Sequence, residues 1–376
     1  MIARENGNVK TERDLAISAA PVLVTGAAGY IGSILVRRLL DLGYRVRVLD
    51  RLMYGDDAIR DILSHPRLEM VVADFRDRKV VARAVQGVSA VVHLGAIVGD
   101  PACAIDEDFT IGTNFEATRI IANAAKQAGV QRMVFGSTCS VYGASEEILD
   151  ETSALNPVSL YANTKIAAEG ALLDMQDATF APVIMRFATA YGHSYRPRYD
   201  LAVNVMTAKA VKEGQITIHG GEQWRPFVHV DDIARALILA LEAPIEKVAG
   251  ETFNVGSDEQ NYQLKEVGEV IQCLIPHAEV LTNDLVTDKR NYYVHFTKIR
   301  ETLGFTPIHT LKASVFEMKM ALDTGEVLDY RDRRYNNHQF LSQIVHEVAL
   351  QPQPFGAGRI AIMSRMEQLM ASACDD

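Results

Sequence analysis

Residues 21–32 read Pro-Val-Leu-Val-Thr-Gly-Ala-Ala-Gly-Tyr-Ile-Gly. The first five form a short apolar run rich in β-branched side chains, which is typical of a buried strand. Glycines at 26, 29 and 32 then let the backbone turn tightly and approach a ligand, because no Cβ stands in the way. A helical pattern follows, and residues 44–50 read as a second strand. The stretch therefore predicts a βαβ unit that holds a pyrophosphate at the start of its helix.

Strand and helix patterns alternate from this unit to Arg186. The later predicted strands are 68–73, 90–94, 132–135 running on to Thr138, and 182–186, and the predicted helices between them are 78–85, 114–128 and 161–175. Six apolar strands joined by helices predict an α/β fold with a Rossmann-type doubly wound parallel sheet. The less regular pattern after Arg186 predicts a smaller mixed α/β substrate-binding domain. In that part, Asp231 or Asp232 is the expected N-cap of a helix.

The second strand ends in Asp50, 18 residues after Gly32. A carboxylate there accepts hydrogen bonds from the adenosine ribose and repels a 2′-phosphate, which favours NAD over NADP. Arg51 follows directly and works against that preference, so NADP stays the alternative. Asp74 ends the third strand, where it belongs either to the cofactor site or to the N-cap of the next helix.

Tyr161 and Lys165 lie four residues apart in a predicted helix and therefore share one face. The pKa of a free phenol is about 10, and a nearby ammonium favours the phenolate, which can then accept a proton at neutral pH. No other Tyr-x-x-x-Lys occurs among the 13 tyrosines. The strand before it ends in Ser137-Thr138-Cys139-Ser140, where a hydroxyl could hold a substrate oxygen beside the phenol. The alternative is an ordinary exposed helical pair.

These motifs, taken in order, resemble the NAD-dependent epimerase/dehydratase family, the extended short-chain dehydrogenase/reductases. The matching segments, spread over about residues 20–320, are Thr25–Gly32, His93–Ala96, Ser137–Gly143, Tyr161 with Lys165, and Trp224–Asp232. The resemblance implies an enzyme that binds NAD and a nucleoside-diphosphate sugar between two domains. It also implies a homodimer packed through helices around 115–128 and 161–175.

The resemblance assigns roles position by position. It makes Thr138, Tyr161 and Lys165 the catalytic residues, Asn114 a structural residue of the central helix, and Arg225 a contact of the nucleotide diphosphate. The expected cofactor-binding residues are Gly26, Ala28, Gly29, Tyr30, Ile31, Gly32, Asp50, Arg51, Asp74, Phe75, Leu94, Gly95, Ala96, Asn114, Tyr161 and Lys165. The expected substrate-binding residues are Cys139, Ser140, Thr189, Arg198, Asn204, Arg225 and Arg290. We expect no metal ligand.

The departures from the family pattern bear on the reaction. The 4,6-dehydratases carry Asp-Glu after the catalytic Thr, where this chain has Cys139-Ser140, so the acid and base needed to eliminate water are missing. Thr189 stands where the family often has Asn, which alters a sugar contact. Arg196 or Arg198 is expected to face a phosphate or a carboxylated sugar, the alternative being solvated loop arginines.

The sequence thus favours a nucleotide-sugar epimerase that transiently oxidises a sugar hydroxyl with NAD. The same residues also serve a net ketoreductase, a decarboxylase or a dehydratase. A catalytically silent NAD-sensing interaction protein is the alternative from another class, and the intact set Thr138, Tyr161 and Lys165 argues against it.

We predict four regions along the chain. They are a flexible leader over 1–18, an NAD-binding domain over 19–186 with strands around 226–256 contributing, a mainly substrate-binding domain over 187–323, and a C-terminal extension over 324–376. The extension contains a late amphipathic stretch, Ile362–Met370, which is expected to be a surface helix or an oligomer contact.

The composition indicates which classes of binding partner and which cellular compartment to expect. A net charge of −10 argues against nucleic acid as the main partner, since a phosphate backbone would be repelled. No apolar run approaches the ~18 residues of a membrane helix, and the polar start Met1–Asp14 does not resemble a signal peptide. The four cysteines form no Cys-x-x-Cys pair and are expected to be reduced thiols of a cytosolic protein.

Overall fold

The computed structural model describes the backbone of residues 4–5, 8–9, 20–283 and 290–349, and the side chains of 20–283 and 290–343. Arg4–Glu5 pairs with Asn8–Val9 in an antiparallel bridge. The rest of the predicted leader and the stretch 362–370 lie outside the described residues.

The chain from Ala20 onward alternates strands with helices. The strands are β1 (Val22–Thr25), β2 (Val46–Asp50), β3 (Leu68–Val72), β4 (Ala90–His93), β5 (Arg132–Thr138), β6 (Ala144–Leu149), β7 (Ala181–Phe187), β8 (Thr189–Tyr191), β9 (Gln215–His219), β10 (Trp224–His229), β11 (Thr252–Val255), β12 (Asn261–Gln263), β13 (Glu279–Asn283) and β14 (Asn291–Val294). The α-helices are α1 (Gly32–Asp41), α2 (Arg78–Ala84), α3 (Asp100–Cys103), α4 (Glu107–Ile111), α5 (Ala117–Gln127), α6 (Leu160–Leu173), α7 (Ala202–Glu213), α8 (Val230–Glu242), α9 (Ile245–Val248), α10 (Leu264–Leu274), α11 (Thr297–Leu303), α12 (Leu311–Asp323) and α13 (Asn337–Ala349).

A seven-stranded parallel sheet in the order β11-β7-β5-β4-β1-β2-β3 forms the centre of the described chain. Its inner strands are buried on both faces, as helices covering both sides of a parallel sheet require, whereas the edge strand β3 is partly exposed. The chain runs outward from β1 to β3 and then crosses over to β4 on the other side of β1. Such a reversal opens a crevice at the carboxyl ends of β1 and β4, where doubly wound folds bind ligands. The predicted Rossmann-type fold is therefore confirmed.

The later strands divide between the sheets. β11 extends the central sheet beside β7, whereas β10 pairs with β8 and β12 in a separate three-stranded sheet. β9 pairs with β13, and β6 pairs with β14. Helices α7, α10 and α12 share an apolar core with this second part. Of the strands around 226–256, only β11 therefore joins the NAD-binding sheet.

Local boundaries differ from the sequence pattern at two helices. A π-helical turn, Gly112–Glu116, precedes α5, so the helix predicted over 114–128 starts with an irregular turn. The N-cap of α8 is His229, whose Nδ1 accepts the Asp231 amide at 3.2 Å. The prediction of Asp231 or Asp232 as N-cap was wrong, because Arg38 binds the Asp231 carboxylate and the Ile308 amide donates to that of Asp232.

His309 contacts Asp231 on α8, and this contact makes the free energy of unfolding depend on pH. Its Nε2 lies 2.9 Å from Oδ2 of Asp231, which raises the pKa of His309. In the unfolded chain the pKa of His309 is about 6.5, and in the folded protein it is higher. The contact therefore contributes its full stabilisation to the folded state below pH 6.5, and this contribution is lost as the pH rises through the folded pKa. The unfolding free energy of wild type minus that of His309→Gln should therefore shrink between pH 6.5 and 9 in urea titrations. A difference that grows with pH would contradict this contact.

Candidate active site

A cleft opens at the carboxyl ends of the central strands. The predicted cofactor residues that line it are Gly26, Ala28, Gly29, Tyr30, Ile31, Gly32, Asp50, Arg51, Asp74, Phe75, Leu94, Gly95, Ala96 and Tyr161. They come from the loops after β1, β2, β3 and β4 and from the start of α6. The sequence analysis identified these residues loop by loop, and the topology of the sheet places them around one cleft.

The glycine loop has room for backbone only. Gly26 has φ +72°, and a Cβ there would lie 2.6 Å from the Gly95 amide nitrogen. A Cβ on Gly32 would lie 2.2 Å from the Gly26 carbonyl oxygen. Helix α1 begins at Gly32, without a side-chain N-cap bond and without an acidic residue in its first turn. The partial positive charge of this helix start is therefore available to a phosphate-bearing ligand.

Asp50 sits at the end of β2 and holds the glycine loop in place. Its carboxylate accepts the Ala28 amide at 2.9 Å and the Leu52 amide at 2.8 Å. Burial raises the pKa of Asp50, while these amides and the charge of Arg196 act against the rise. A carboxylate has about four acceptor positions, so lone pairs remain for ribose hydroxyls.

Arg51 and Asp74 form an ion pair at the same wall of the cleft. Arg51 lies 3.1 Å from Asp74, which also binds Arg76 at 2.7 Å. These arginines lower the pKa of Asp74 despite its burial. The N-cap of α2 is instead Asp77, so the cofactor-site alternative for Asp74 agrees with the geometry. Because Arg51 is engaged with Asp74, it works less against the NAD preference set by Asp50.

The start of α6 places Tyr161 at the cleft. Thr138, the last residue of β5, also lines it, and its side chain acts to lower the pKa of Tyr161. Burial is the larger effect and raises that pKa above its ordinary value. A bound substrate hydroxyl at this point would therefore meet a protonated phenol unless a cation offsets the burial.

Arg198 is the cation that acts to lower the pKa of Tyr161, and Lys165 lies one turn further along α6. Its Nζ lies 6.0 Å from the Tyr161 ring centroid and donates to the Gly136 carbonyl oxygen at 2.8 Å. Burial lowers the pKa of Lys165 to about 8, so the ammonium form predominates at neutral pH. Lys165 itself lies beneath the cleft surface, and no other element separates it from Tyr161.

A buried ion pair fixes the helix that carries these residues. Glu169 on α6 accepts from Arg186 of β7 at 2.7 Å and from the Ser137 hydroxyl. Arg186 also donates to the Tyr142 hydroxyl at 3.0 Å. The network anchors α6 to the central sheet one turn beyond Lys165.

Glu169→Gln should lower the unfolding free energy by about 3 kcal/mol, because it leaves the Arg186 charge buried without a carboxylate. Urea unfolding measures the loss. The matched control is Glu222→Gln, which removes one partner of the exposed pair with Lys265 and should change stability by less than about 1 kcal/mol. Equal losses in the two variants would show that the buried pair does not anchor α6.

Asn114 acts beneath the cleft. It lies in the π-helical turn and is 1% exposed. Its side chain accepts the Ile97 amide at 2.8 Å and donates to the Ile97 carbonyl oxygen at 2.9 Å. The geometry therefore gives Asn114 the structural role that the family resemblance implies, and it fixes the loop after β4 rather than facing the cleft.

The predicted substrate residues separate into two groups. Those that line the cleft are Ser140, Thr189, Arg198 and Arg290. Cys139 is fully buried, and its Sγ donates to the Arg186 carbonyl oxygen. Asn204 is buried and accepts the Gly192 amide, while Arg225 is 4% exposed and donates to Trp224. Cys139, Asn204 and Arg225 do not line the cleft, so substrate contact by these three residues stays a prediction.

Several cleft residues lay outside the sequence predictions. They include Tyr54, Val98, Phe109 and Asn337. Arg196, which the sequence weighed only together with Arg198, lines the cleft as well. Asn337 belongs to the C-terminal extension, and no motif links it to the rest. Its position follows only from the three-dimensional path of the chain.

The described residues hold neither a metal-type cluster of side chains nor a membrane-spanning helix. No group of three or more His, Cys, Asp and Glu side chains converges there as a metal site would. No helix in the described part of the chain is both long enough and apolar enough to cross a membrane.

The fold and cleft define a dinucleotide-binding enzyme of the short-chain dehydrogenase/reductase type. A family model described as the NAD dependent epimerase/dehydratase family matches residues 22–256. The chain therefore belongs to that family, and the predictions of an enzyme and of an NAD cofactor are confirmed at this level.

Relatives with different reactions match most of the chain. A UDP-glucose 4-epimerase from Mycolicibacterium smegmatis (strain ATCC 700084 / mc(2)155) is 31% identical over 76% of this chain and 93% of that protein. A dTDP-glucose 4,6-dehydratase from Neisseria gonorrhoeae is 30% identical over 84% of this chain and 97% of that protein. The solved structure of MoeE5 in complex with UDP-glucuronic acid and NAD is 28% identical, with a TM-score of 0.72, and covers 81% of this chain and 99% of that one.

Proposed function

We propose that the protein is an NAD-dependent nucleotide-sugar epimerase. The observation that carries the proposal is the placement of Tyr161 and Thr138 on the cleft that the glycine loop lines, with Lys165 one turn behind Tyr161. Relatives named as acting on UDP-glucose support a nucleoside-diphosphate sugar as substrate. Ser140, Thr189, Arg198 and Arg290 are the cleft residues that we propose to contact it.

The residues at the glycine loop fit NAD. The uncapped start of α1 suits a pyrophosphate, and the Asp50 carboxylate suits ribose hydroxyls while repelling a 2′-phosphate. Tyr161 and Lys165 lie where the resemblance places the nicotinamide end. When bound, NAD supplies a hydride acceptor that can return the hydride to the same carbon.

The side chains of this chain handle the proton. Thr138 holds the oxygen of the reacting sugar hydroxyl, and Tyr161 accepts the proton of that hydroxyl as its carbon is oxidised. The Lys165 ammonium lowers the energy of the phenolate that receives it. In the reverse direction Tyr161 returns the proton to the keto oxygen. Turning the keto-sugar between the two steps exchanges the face that is reduced and yields the epimer.

Ketoreductase, decarboxylase and dehydratase activities use the same half-reaction. Dehydration is the least favoured, because Cys139 and Ser140 stand where an acid and a base are needed and Cys139 is buried. A relative is nevertheless named as a dTDP-glucose 4,6-dehydratase, so the product assay must include loss of water. A silent NAD-sensing protein would keep the cleft without needing Thr138 and Tyr161 on it.

Bound nucleotide and substrate class can be tested on the purified protein. Acid release followed by chromatography should yield NAD, because an epimerase needs no exchange of cofactor. A panel of UDP-, dTDP- and GDP-sugars, scored by thermal shift and then by product analysis, should identify the substrate. Repeated preparations without any NAD species, and with no binding of added NAD, would contradict the proposal.

We also propose a cytoplasmic homodimer. Partly buried apolar side chains, among them Ile120 and Ala124 on α5 and Ala171 and Leu173 on α6, pack at the edge of the core and leave apolar surface on both helices. Light scattering after gel filtration should give twice the chain mass of 41.5 kDa. A monomer at micromolar concentration would contradict this assembly.

A further inference from the structure

A buried arginine with unused hydrogen-bonding capacity faces the cleft. Arg196 is 7% exposed and lines the cleft. Its guanidinium donates to the Arg334 carbonyl oxygen at 3.1 Å and to Oδ1 of Asn337 at 2.7 Å, which are both neutral acceptors. Its Nε is buried and has no hydrogen-bond partner among the described residues. A buried cation is costly unless an anion joins it, so this site is suited to an anionic ligand.

The neighbouring arginine shows the contrast. Arg198 binds Asp200 through two parallel hydrogen bonds of 3.0 and 2.8 Å. Asp200 raises the pKa of Arg198 in spite of its burial, whereas burial lowers the pKa of Arg196 to about 10. Arg198 is therefore paired directly with a carboxylate of the protein. Arg196 has no carboxylate among its hydrogen-bond acceptors, and the carboxylates of Asp50 and Asp200 act on its charge only through space.

The C-terminal extension holds Arg196 in this state. We call residues 333–341 the C-terminal strap. Within it, Asn337 accepts from Arg196 and donates through Nδ2 to the Val98 carbonyl oxygen at 3.2 Å. The Phe340 ring lies 4.8 Å from that of Tyr54, and Tyr54 in turn lies 3.8 Å from the Arg196 guanidinium carbon.

The strap also reaches the catalytic end of the cleft. Leu341 is 2% exposed and packs in one apolar cluster with Met53, Ile97 and Tyr161. The strap thus contacts the loops after β2 and β4 and the start of α6, and its Asn337 lines the cleft. The family match ends at residue 256, so no family motif predicts this wall.

We propose that the C-terminal strap is part of the ligand site, and that Asn337 is a positioning residue which presents the Arg196 guanidinium, without a directly bonded carboxylate, to a phosphate or carboxylate of the bound ligand. The amide at 337 matters because it accepts from the guanidinium without neutralising it. This inference rests on the proposed function, which makes the cleft the binding site of NAD and a nucleotide sugar. The anion comes either from the dinucleotide or from the nucleotide sugar, and binding measurements separate these sources.

The decisive variant is Asn337→Asp in the full chain. It keeps an acceptor for Arg196 but adds a carboxylate, so it should weaken binding of the anionic ligand by at least about ten-fold. Asn337→Ala should weaken binding less. Calorimetry measures the dissociation constants of NAD, UDP-glucose, dTDP-glucose and UDP-glucuronate. A loss with NAD alone assigns the anion to the cofactor, a loss with every nucleotide sugar assigns it to their diphosphate, and a loss with UDP-glucuronate alone assigns it to the sugar carboxylate.

The matched control is Gln339→Asp, which places the same charge on the exposed side of α13 and should leave binding unchanged. Arg196→Gln should weaken binding of the same ligand as Asn337→Asp does. It replaces Asn337→Asp in the test if that variant does not fold. Asn337→Asp binding every probe as well as Asn337→Ala, or Arg196→Gln matching wild type, would overturn the proposal. Neither outcome depends on which reaction the enzyme performs.

Discussion

Tyr161→Phe is expected to lower kcat by about 10²- to 10⁴-fold while the fold and NAD binding are retained. The substitution removes only the hydroxyl that faces Thr138 on the cleft. The phenyl ring still fills its place in the apolar cluster with Ile97 and Leu341. Steady-state kinetics with the substrate found in the nucleotide-sugar panel, together with the melting temperature and the NAD dissociation constant, separate chemistry from folding.

A second tyrosine provides the control for this variant. Tyr293 donates its hydroxyl to the Asp258 carbonyl oxygen and lies outside the cleft lining. Tyr293→Phe should therefore keep kcat within about two-fold while losing a hydrogen bond worth about 1 kcal/mol of stability. If Tyr161→Phe turned over as fast as Tyr293→Phe, the proton would have to be handled by another group.

Gly26→Ala is expected to abolish tight NAD binding, raising the dissociation constant by at least about 100-fold, and to lower stability by several kcal/mol. The new Cβ would lie 2.6 Å from the Gly95 amide nitrogen and 2.7 Å from the Gly95 Cα. Both contacts are with backbone, so neither can move aside as a flexible side chain would. The loop after β1 and the loop after β4 would separate at the point where the cleft begins.

Gly129→Ala is the matched control for backbone strain. Gly129 has φ +77°, close to the +72° of Gly26, but nothing lies within 4 Å of its added Cβ. It should lose only the ~1–2 kcal/mol of a left-handed conformation and keep NAD binding. Isothermal titration with NAD and urea unfolding measure both variants. Equal NAD affinities in the two variants would mean that the glycine loop does not build the cofactor site.

The sequence predicted the sheet well because its strands carry a local signal. Apolar β-branched runs such as Val22–Thr25 and Ala90–His93 are long enough to indicate burial on both faces. The glycine loop and the Tyr161–Lys165 pair are also local patterns, so their elements could be placed from the sequence alone. How β10 and β11 divide between the two sheets depends on long-range pairing, and no periodicity encodes it.

The prediction of substrate contacts was weaker, because side-chain direction in the second part depends on tertiary packing. Asn204 and Arg225 carry the right chemistry, yet both are buried outside the cleft lining, and Asn204 accepts the Gly192 amide. The N-cap at His229 was missed for a similar reason, since Arg38 from a distant helix binds Asp231. Asn337 could not be found at all, because its partner Arg196 is distant in the chain and belongs to a loop without a motif.

The transient oxidation of a sugar carbon by bound NAD can be tested in D₂O. The protein as purified is incubated with its nucleotide sugar without added NAD, and the product is analysed by NMR. A hydride that leaves and returns to one carbon does not exchange with solvent. We therefore predict an epimer that carries hydrogen, and not deuterium, at the inverted carbon. Deuterium at that carbon, or a product that has lost water or carbon dioxide, would contradict the account.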